Sequence, residues 1–174
     1  KNQRFPRPLA TPTTKEKSDR EISPAELVKE GWVTTDSYER MEQTALQLFA
    51  FGTTLLAEKG LILVDTKYEF GVIDGKLVLI DEIHTPDSSR FWRAADYAQN
   101  PGNAEQIDKE YVRQWLLNNA VNGQCPDTLP EDVANETSRR YLEIYQLITG
   151  QSLEVNADEP IKARICRNLV KTGL

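Results

Sequence analysis

The strongest constraint in this sequence is a dipeptide, Asp74-Gly75, set between two runs of strand-forming residues, LILVDTKYEFGVI (61–73) and KLVLIDEI (76–83). β-Branched and aliphatic side chains suit a pleated, half-buried surface, and Asp-Gly supplies the left-handed backbone that a tight hairpin turn needs. An antiparallel ribbon is expected, with Thr85-Pro86 ending its second strand. A two-stranded ribbon is marginal in water by itself, so one face must be covered. The preceding segment offers the cover: from about Asp36 to Lys59, Met41, Ala45, Leu48, Gly52, Leu55 and Leu56 keep helical spacing, and Gly60 follows as a helix-ending residue.

Further helices flank this unit. Ser23-Pro24-Ala25-Glu26 reads as a capping box that opens a short helix to about Lys29. After the Pro101-Gly102 turn, Ile107, Tyr111, Trp115 and Leu116 mark another. Thr128-Leu129-Pro130-Glu131 opens a longer one through Tyr141, Ile144 and Ile148 to Gly150. A last amphipathic helix, from Pro160 to Lys171, is expected to turn Ile161, Ile165 and Leu169 inward, with Lys162, Arg164, Arg167 and Lys171 as its solvated face. The pattern is α+β: a small antiparallel sheet packed by several helices. Residues 1–22, with three prolines and no sustained apolar period, read as an extended linker from a preceding lobe, and residues 23–174 as the domain proper, its final helical extension at about 158–172.

With 174 residues, 39% of them apolar, the chain can build one domain with a real core. A net charge of −6 argues against a general binder of nucleic acid, which needs clustered Lys and Arg. The two cysteines, Cys125 and Cys166, lack disulfide or zinc spacing, so a reducing, cytoplasmic setting is expected. No apolar run is long enough to span a membrane as a helix. Oligomeric state is not legible, and a homo-oligomer remains open.

Chemistry concentrates along the first strand. Along Val64 to Gly71 side chains alternate faces with period two, so Asp65, Lys67 and Glu69 all project from one side. Three ionisable groups on a half-buried ribbon need water, one another or a ligand. The return strand adds Asp81 and Glu82, and the loop length decides which joins the row. A two-residue loop pairs Glu69 with Ile80 and puts Glu82 on the charged face. A three-residue loop with a glycine bulge puts Asp81 there instead, and this second register is the one expected. Two carboxylates facing across strands repel, and Mg²⁺ would offset that, since it takes one or two carboxylates together with phosphate oxygens and water. A surface salt-bridge row with Lys67 between Asp65 and Glu69 accounts for the spacing equally well. The following loop, His84 to Trp92, carries Asp87, Ser88, Ser89 and Arg90, suited to hydroxyls, phosphate or carboxylate. The bland reading is a capped turn.

The run LILVDTKYEFG, followed by VLIDEIHTPDSSRFW, closely resembles the signature region of SAICAR synthetases, and the likeness extends from TPTTK near the start to YLEIYQLITG. The resemblance implies the C-terminal, ATP-grasp-like lobe of that fold, with the N-terminal lobe and its phosphate loop absent. It implies an ATP- and Mg²⁺-dependent ligase that joins L-aspartate to the carboxylate of a carboxyaminoimidazole ribonucleotide, and a piece unable to turn over alone. Carried over by position, Glu69 and Asp81 hold Mg²⁺ and the ATP phosphates, and Lys67 and Asp65 face the reacting carboxylate. Asp87, Ser88, Ser89 and Arg90 border the ribonucleotide, with Arg90 on its 5′-phosphate. Lys15 and Asp19 belong to a family segment that also borders the site. His84 stands where the family varies and is read as structural or solvent-facing. The competing readings are a small-molecule kinase, which would not need aspartate, and a non-enzymatic interaction module.

Overall fold

The computed structural model describes residues 2–103, 107, 109–153 and 160–172. Its first helix, α1 (Pro24–Lys29), opens with the expected capping box: the Ser23 hydroxyl accepts from Glu26 N at 3.3 Å, and the Glu26 carboxylate accepts from Ser23 N at 3.0 Å. Helix α2 (Thr35–Ala57) is capped by Thr34, which accepts from Ser37 N at 3.2 Å. Its spacing buries Gly52 and Leu56, and Gly60, at φ 71, turns the chain straight into strand β1 (Leu61–Thr66).

The long first run does not form one strand. It breaks at Lys67-Tyr68 into β1 and β2 (Glu69–Ile73), and each half takes a different antiparallel partner. Strand β2 pairs with β3 (Lys76–Ile80), as the Asp-Gly turn requires. Strand β1 pairs with β4 (Ser89–Arg93), a strand in a stretch that reads as a polar loop in the sequence. The α+β class stands, built on two small ribbons.

The hairpin register also differs from expectation. Ile73 faces Lys76 and Glu69 faces Ile80, so the loop has two residues. Asp74 (φ 50) and Gly75 (φ 74) both adopt the left-handed conformation, the turn whose twist matches the flanking strands. No bulge is needed, and the parity argument that would have set Asp81 across from Glu69 falls.

The core forms where α2, β1 and β4 meet, around Leu56, Leu61, Leu63, Phe91, Ile107 and Ile144, with Phe49, Leu147 and Ile148 packed against it. Phe91 is wholly buried, and each such side chain contributes about 1.5–3 kcal/mol by leaving water. A bulge in β1 keeps this core apolar. Leu63 faces Phe91, but the next pair is Asp65 with Arg90, so Val64 is extra. Without that extra residue, strict alternation would send Asp65 inward behind Leu61 and Leu63. A second cluster of Ile22, Leu27 and Tyr38 ties α1 to the start of α2.

The remaining elements are α3 (Ala94–Gln99), a 3-10 turn (Pro101–Asn103), α4 (Glu110–Asn118), α5 (Glu131–Thr149) and α6 (Ile161–Lys171). Helix α5 starts on Pro130 without a side-chain cap, and it ends at Gly150, φ 71, as expected. In α6 the expected inward residues Ile161, Ile165 and Leu169 are exposed. An amphipathic pattern states that a helix has two faces, and it does not name the partner for the apolar one. Residues 158 and 159 of the expected extension lie outside the described residues. No helix among the described residues is long and apolar enough to cross a membrane.

Candidate functional site

The polar groups gather at the break between β1 and β2. Lys67, in that break, places its ammonium 3.0 Å from Asp19 Oδ2 and 3.0 Å from Glu69 Oε1. Glu69, the first residue of β2, accepts in turn from Lys15 Nζ at 2.7 and 2.8 Å, one contact to each carboxylate oxygen. The result is an alternating chain, Asp19–Lys67–Glu69–Lys15. Its two distant members arrive on residues 12–22, a loop pinned by the Thr13–Glu21 bridge and by Thr14 N donating to Arg20 O at 2.9 Å. Thr14 is buried and its hydroxyl accepts from Arg20 N, so the segment expected to be an extended linker is docked onto the site.

The charges tune one another. The hydrogen bond from Lys15, then that from Lys67, holds the Glu69 carboxyl below its ordinary range. Glu69, then Asp19, raises the Lys67 ammonium, which stays charged at neutral pH. Lys15 and Lys67 are well exposed, so these contacts add little to stability. Their arrangement is a solvent-open cluster in which two carboxylates and two ammonium groups alternate.

Asp65 does not join that cluster. Turned outward by the bulge, it forms a forked pair with Arg90 across the ribbon, with Arg90 Nε donating to Oδ1 at 2.9 Å. Asp87 is held from the helices: Tyr141 Oη of α5 donates to its Oδ1 at 2.9 Å, and Lys109 Nζ donates to its backbone oxygen. Ser88 and Ser89 face inward. The Ser89 hydroxyl is buried and donates to Thr66 Oγ1 at 2.8 Å, while Ser88 Oγ accepts from Thr85 N at 3.1 Å, bonds that brace the loop from inside. Asp81 lies one residue beyond β3 at φ 66, and among the described residues no hydrogen bond or ion pair joins it to Glu69.

A carboxylate such as Glu69 is the kind of donor a hard divalent cation takes; here two ammonium groups hold it, and Asp81 and Glu82 follow the opposing strand, in a register that does not itself set Asp81 across from Glu69. No group of three or more potential metal ligands occurs among the described residues, which Mg²⁺ does not require.

The family resemblance places Lys15 and Asp19 beside the site, and the structure supplies their partners, Glu69 and Lys67, which lie 54 and 48 residues away. One contact has no signal in the sequence. His84, half-buried at φ 54, receives its neighbour Tyr68 at 2.6 Å between the phenol oxygen and Nε2. Burial pushes Tyr68 up to about 12 and lowers His84, so a neutral phenol meets a neutral imidazole, and the ring tautomer sets which of the two donates.

Comparison with known proteins follows this geometry. Residues 1–128 match the family model for SAICAR synthetase. The phosphoribosylaminoimidazole-succinocarboxamide synthase of Bacteroides thetaiotaomicron is 42% identical over 178 residues, covering 97% of this chain and 57% of that protein. The Legionella pneumophila (strain Lens) enzyme of the same name is 41% identical, again over 97% of this chain and 57% of its own length. Among solved structures, the SAICAR synthase from Saccharomyces cerevisiae complexed with SAICAR superposes with a TM-score of 0.72 at 37% identity, over 88% of this chain and 50% of that one. A SAICAR synthetase in complex with ADP gives 0.66 at 29% identity, over 87% and 55%. The chain thus spans a little over half the length of the relatives it matches.

Proposed function

This chain belongs to the SAICAR synthetase family, and from that premise we propose that it forms the C-terminal catalytic lobe of an ATP- and Mg²⁺-dependent carbon–nitrogen ligase of purine biosynthesis. The reaction joins L-aspartate to the carboxylate of carboxyaminoimidazole ribonucleotide, giving SAICAR, ADP and phosphate. A carboxylate is a poor electrophile, so the γ-phosphoryl group of ATP is first transferred to it. The amine of aspartate then attacks the acyl phosphate, forming the amide as phosphate leaves. Turnover requires the additional lobe that the longer relatives' length allows for, and this chain by itself is expected to bind nucleotide weakly.

One observation carries the reading: Lys67 and Glu69 stand side by side at the foot of the hairpin, 3.0 Å apart, with Lys15 on the carboxylate's other side. Phosphoryl transfer is promoted chiefly by positioning and by neutralising charge on the transferring group. Lys67, kept protonated by Glu69 and Asp19, is suited to the oxygens of that group. Glu69 and Asp81 would hold Mg²⁺, which when bound screens the charge on the ATP phosphates. Asp65 keeps the Arg90 guanidinium in place for the ribonucleotide's 5′-phosphate, with Asp87, Ser88 and Ser89 bordering the same loop.

The test is product formation by the full-length protein supplied with Mg-ATP and the ribonucleotide. SAICAR and phosphate should appear together, and only when aspartate is present. Steady ADP release that is indifferent to aspartate would favour a kinase and refute the ligase.

A further inference from the structure

Among the described residues the hairpin that carries Glu69 pairs only with itself: β2 and β3 form one ribbon, β1 and β4 another, and Lys67-Tyr68 is the joint between them. Lys67 N donates to Ser88 O at 2.8 Å, which ties the first residue of the joint to the β4 side and leaves the hairpin beyond it to be fixed by side chains. Besides the Lys15 and Asp19 ion pairs, one such contact is at Tyr68. Its phenol oxygen lies 2.6 Å from His84 Nε2, and the two rings meet edge to face at 5.6 Å and 70°. Tyr68 immediately precedes β2, and His84 follows β3 after a short loop, so one hydrogen bond joins the two legs of the hairpin at its base.

The third member of this contact is Gly52, buried in α2. A Cβ built on Gly52 would come within 2.4 Å of His84 Cε1, 2.8 Å of Nδ1 and 2.9 Å of Nε2. Its backbone is ordinary helix, so conformation gives no reason for a glycine, which weakens a helix interior. The imidazole ring is the reason: it lies flush on the helix where a side chain would otherwise be. His84 itself adopts φ 54, a left-handed conformation unusual for a residue with a Cβ. Two local costs, one in α2 and one in the loop after β3, are thus explained by a single packing arrangement.

We propose that His84 is a positioning residue: seated on Gly52 and hydrogen-bonded to Tyr68, it clamps the base of the β2–β3 hairpin to α2 and so fixes where Lys67 and Glu69 stand. The clamp as such follows from the packing. Its bearing on turnover rests on the ligase reading above.

Tyr68→Phe removes one hydroxyl and leaves the ring, and His84→Leu removes its ring-nitrogen partner, while His84→Gln keeps a polar end near the place of Nε2. Hydrogen exchange read by segment tests the clamp directly. In Tyr68→Phe and His84→Leu, amides of residues 69–80 should exchange about tenfold faster, with 61–66 and 89–93 unchanged and His84→Gln close to wild type. In the full-length protein the same two variants should lose about tenfold in kcat at an unchanged KM for ATP, again with recovery in His84→Gln. Unchanged exchange of 69–80 in Tyr68→Phe would overturn the clamp. Faster exchange with wild-type kcat would overturn the positioning role. If wild-type protein shows no aspartate-dependent turnover, the functional reading fails, and the exchange rates alone then decide the clamp.

Discussion

The two ribbons of this molecule are adjacent in sequence and alike in size, yet they are built for different ends. The β1–β4 ribbon is buried: Leu61, Leu63, Phe91 and Trp92 are each less than a tenth exposed, and its bulge keeps Asp65 out of the core. The β2–β3 ribbon stands out in solvent, with Val72 68% and Ile73 59% exposed, and it carries Glu69 at its foot. The first ribbon holds the core and carries the Asp65–Arg90 pair on its outer face, while the Glu69 carboxylate proposed for phosphoryl transfer stands on the second. The joint between them, Lys67-Tyr68, contributes to both.

That contrast breaks most readily in the core. Phe91→Ala should destabilise the chain by about 3–5 kcal/mol in urea unfolding, because a wholly buried ring leaves a cavity that rigid neighbours cannot close. A smaller effect belongs to the joint. Burial depresses the folded pKa of His84, so its neutral form contributes stability that is fully present above its unfolded value, about 6.5, and is lost as pH falls through the folded pKa. The melting temperature of the wild-type chain should decline as pH drops below about 6.5, and His84→Gln should flatten that limb. The smallest effect is expected at the hairpin tip, where Val72→Thr should alter stability by no more than about 0.5 kcal/mol. A loss as large as that of Phe91→Ala would mean that the exposed ribbon is part of the core after all.

Local signals were legible and long-range ones were not. The Ser23 capping box, the spacing that buries Gly52 and Leu56, and the place of the Asp74-Gly75 turn, though not its two-residue length, were readable, since each depends on neighbours within a few residues. Strand β4 was hidden because SRFWR sets its apolar Phe91 and Trp92 side by side between polar residues, without strand alternation. The break at Lys67-Tyr68 and the bulge at Val64 leave no turn or breaker residue in the run from Leu61 to Phe70. Both decide which side chains share a face, so the single row of Asp65, Lys67 and Glu69 became two arrangements: Lys67 with Glu69, and Asp65 with Arg90. Gly52 looked like one more small residue on an apolar stripe, and only the imidazole lying against it shows why it is small. The family resemblance named the residues around the site, and the structure supplied the partners that hold them.

The division between the two ribbons is tested most directly by turnover and melting temperature measured together on full-length Glu69→Gln, which keeps the shape of the side chain and removes its charge. Aspartate-dependent turnover should fall at least about 100-fold, while the melting temperature stays within about 4 °C of wild type. Near-wild-type turnover, or a loss that merely follows unfolding, would contradict the assignment of chemistry to the exposed ribbon.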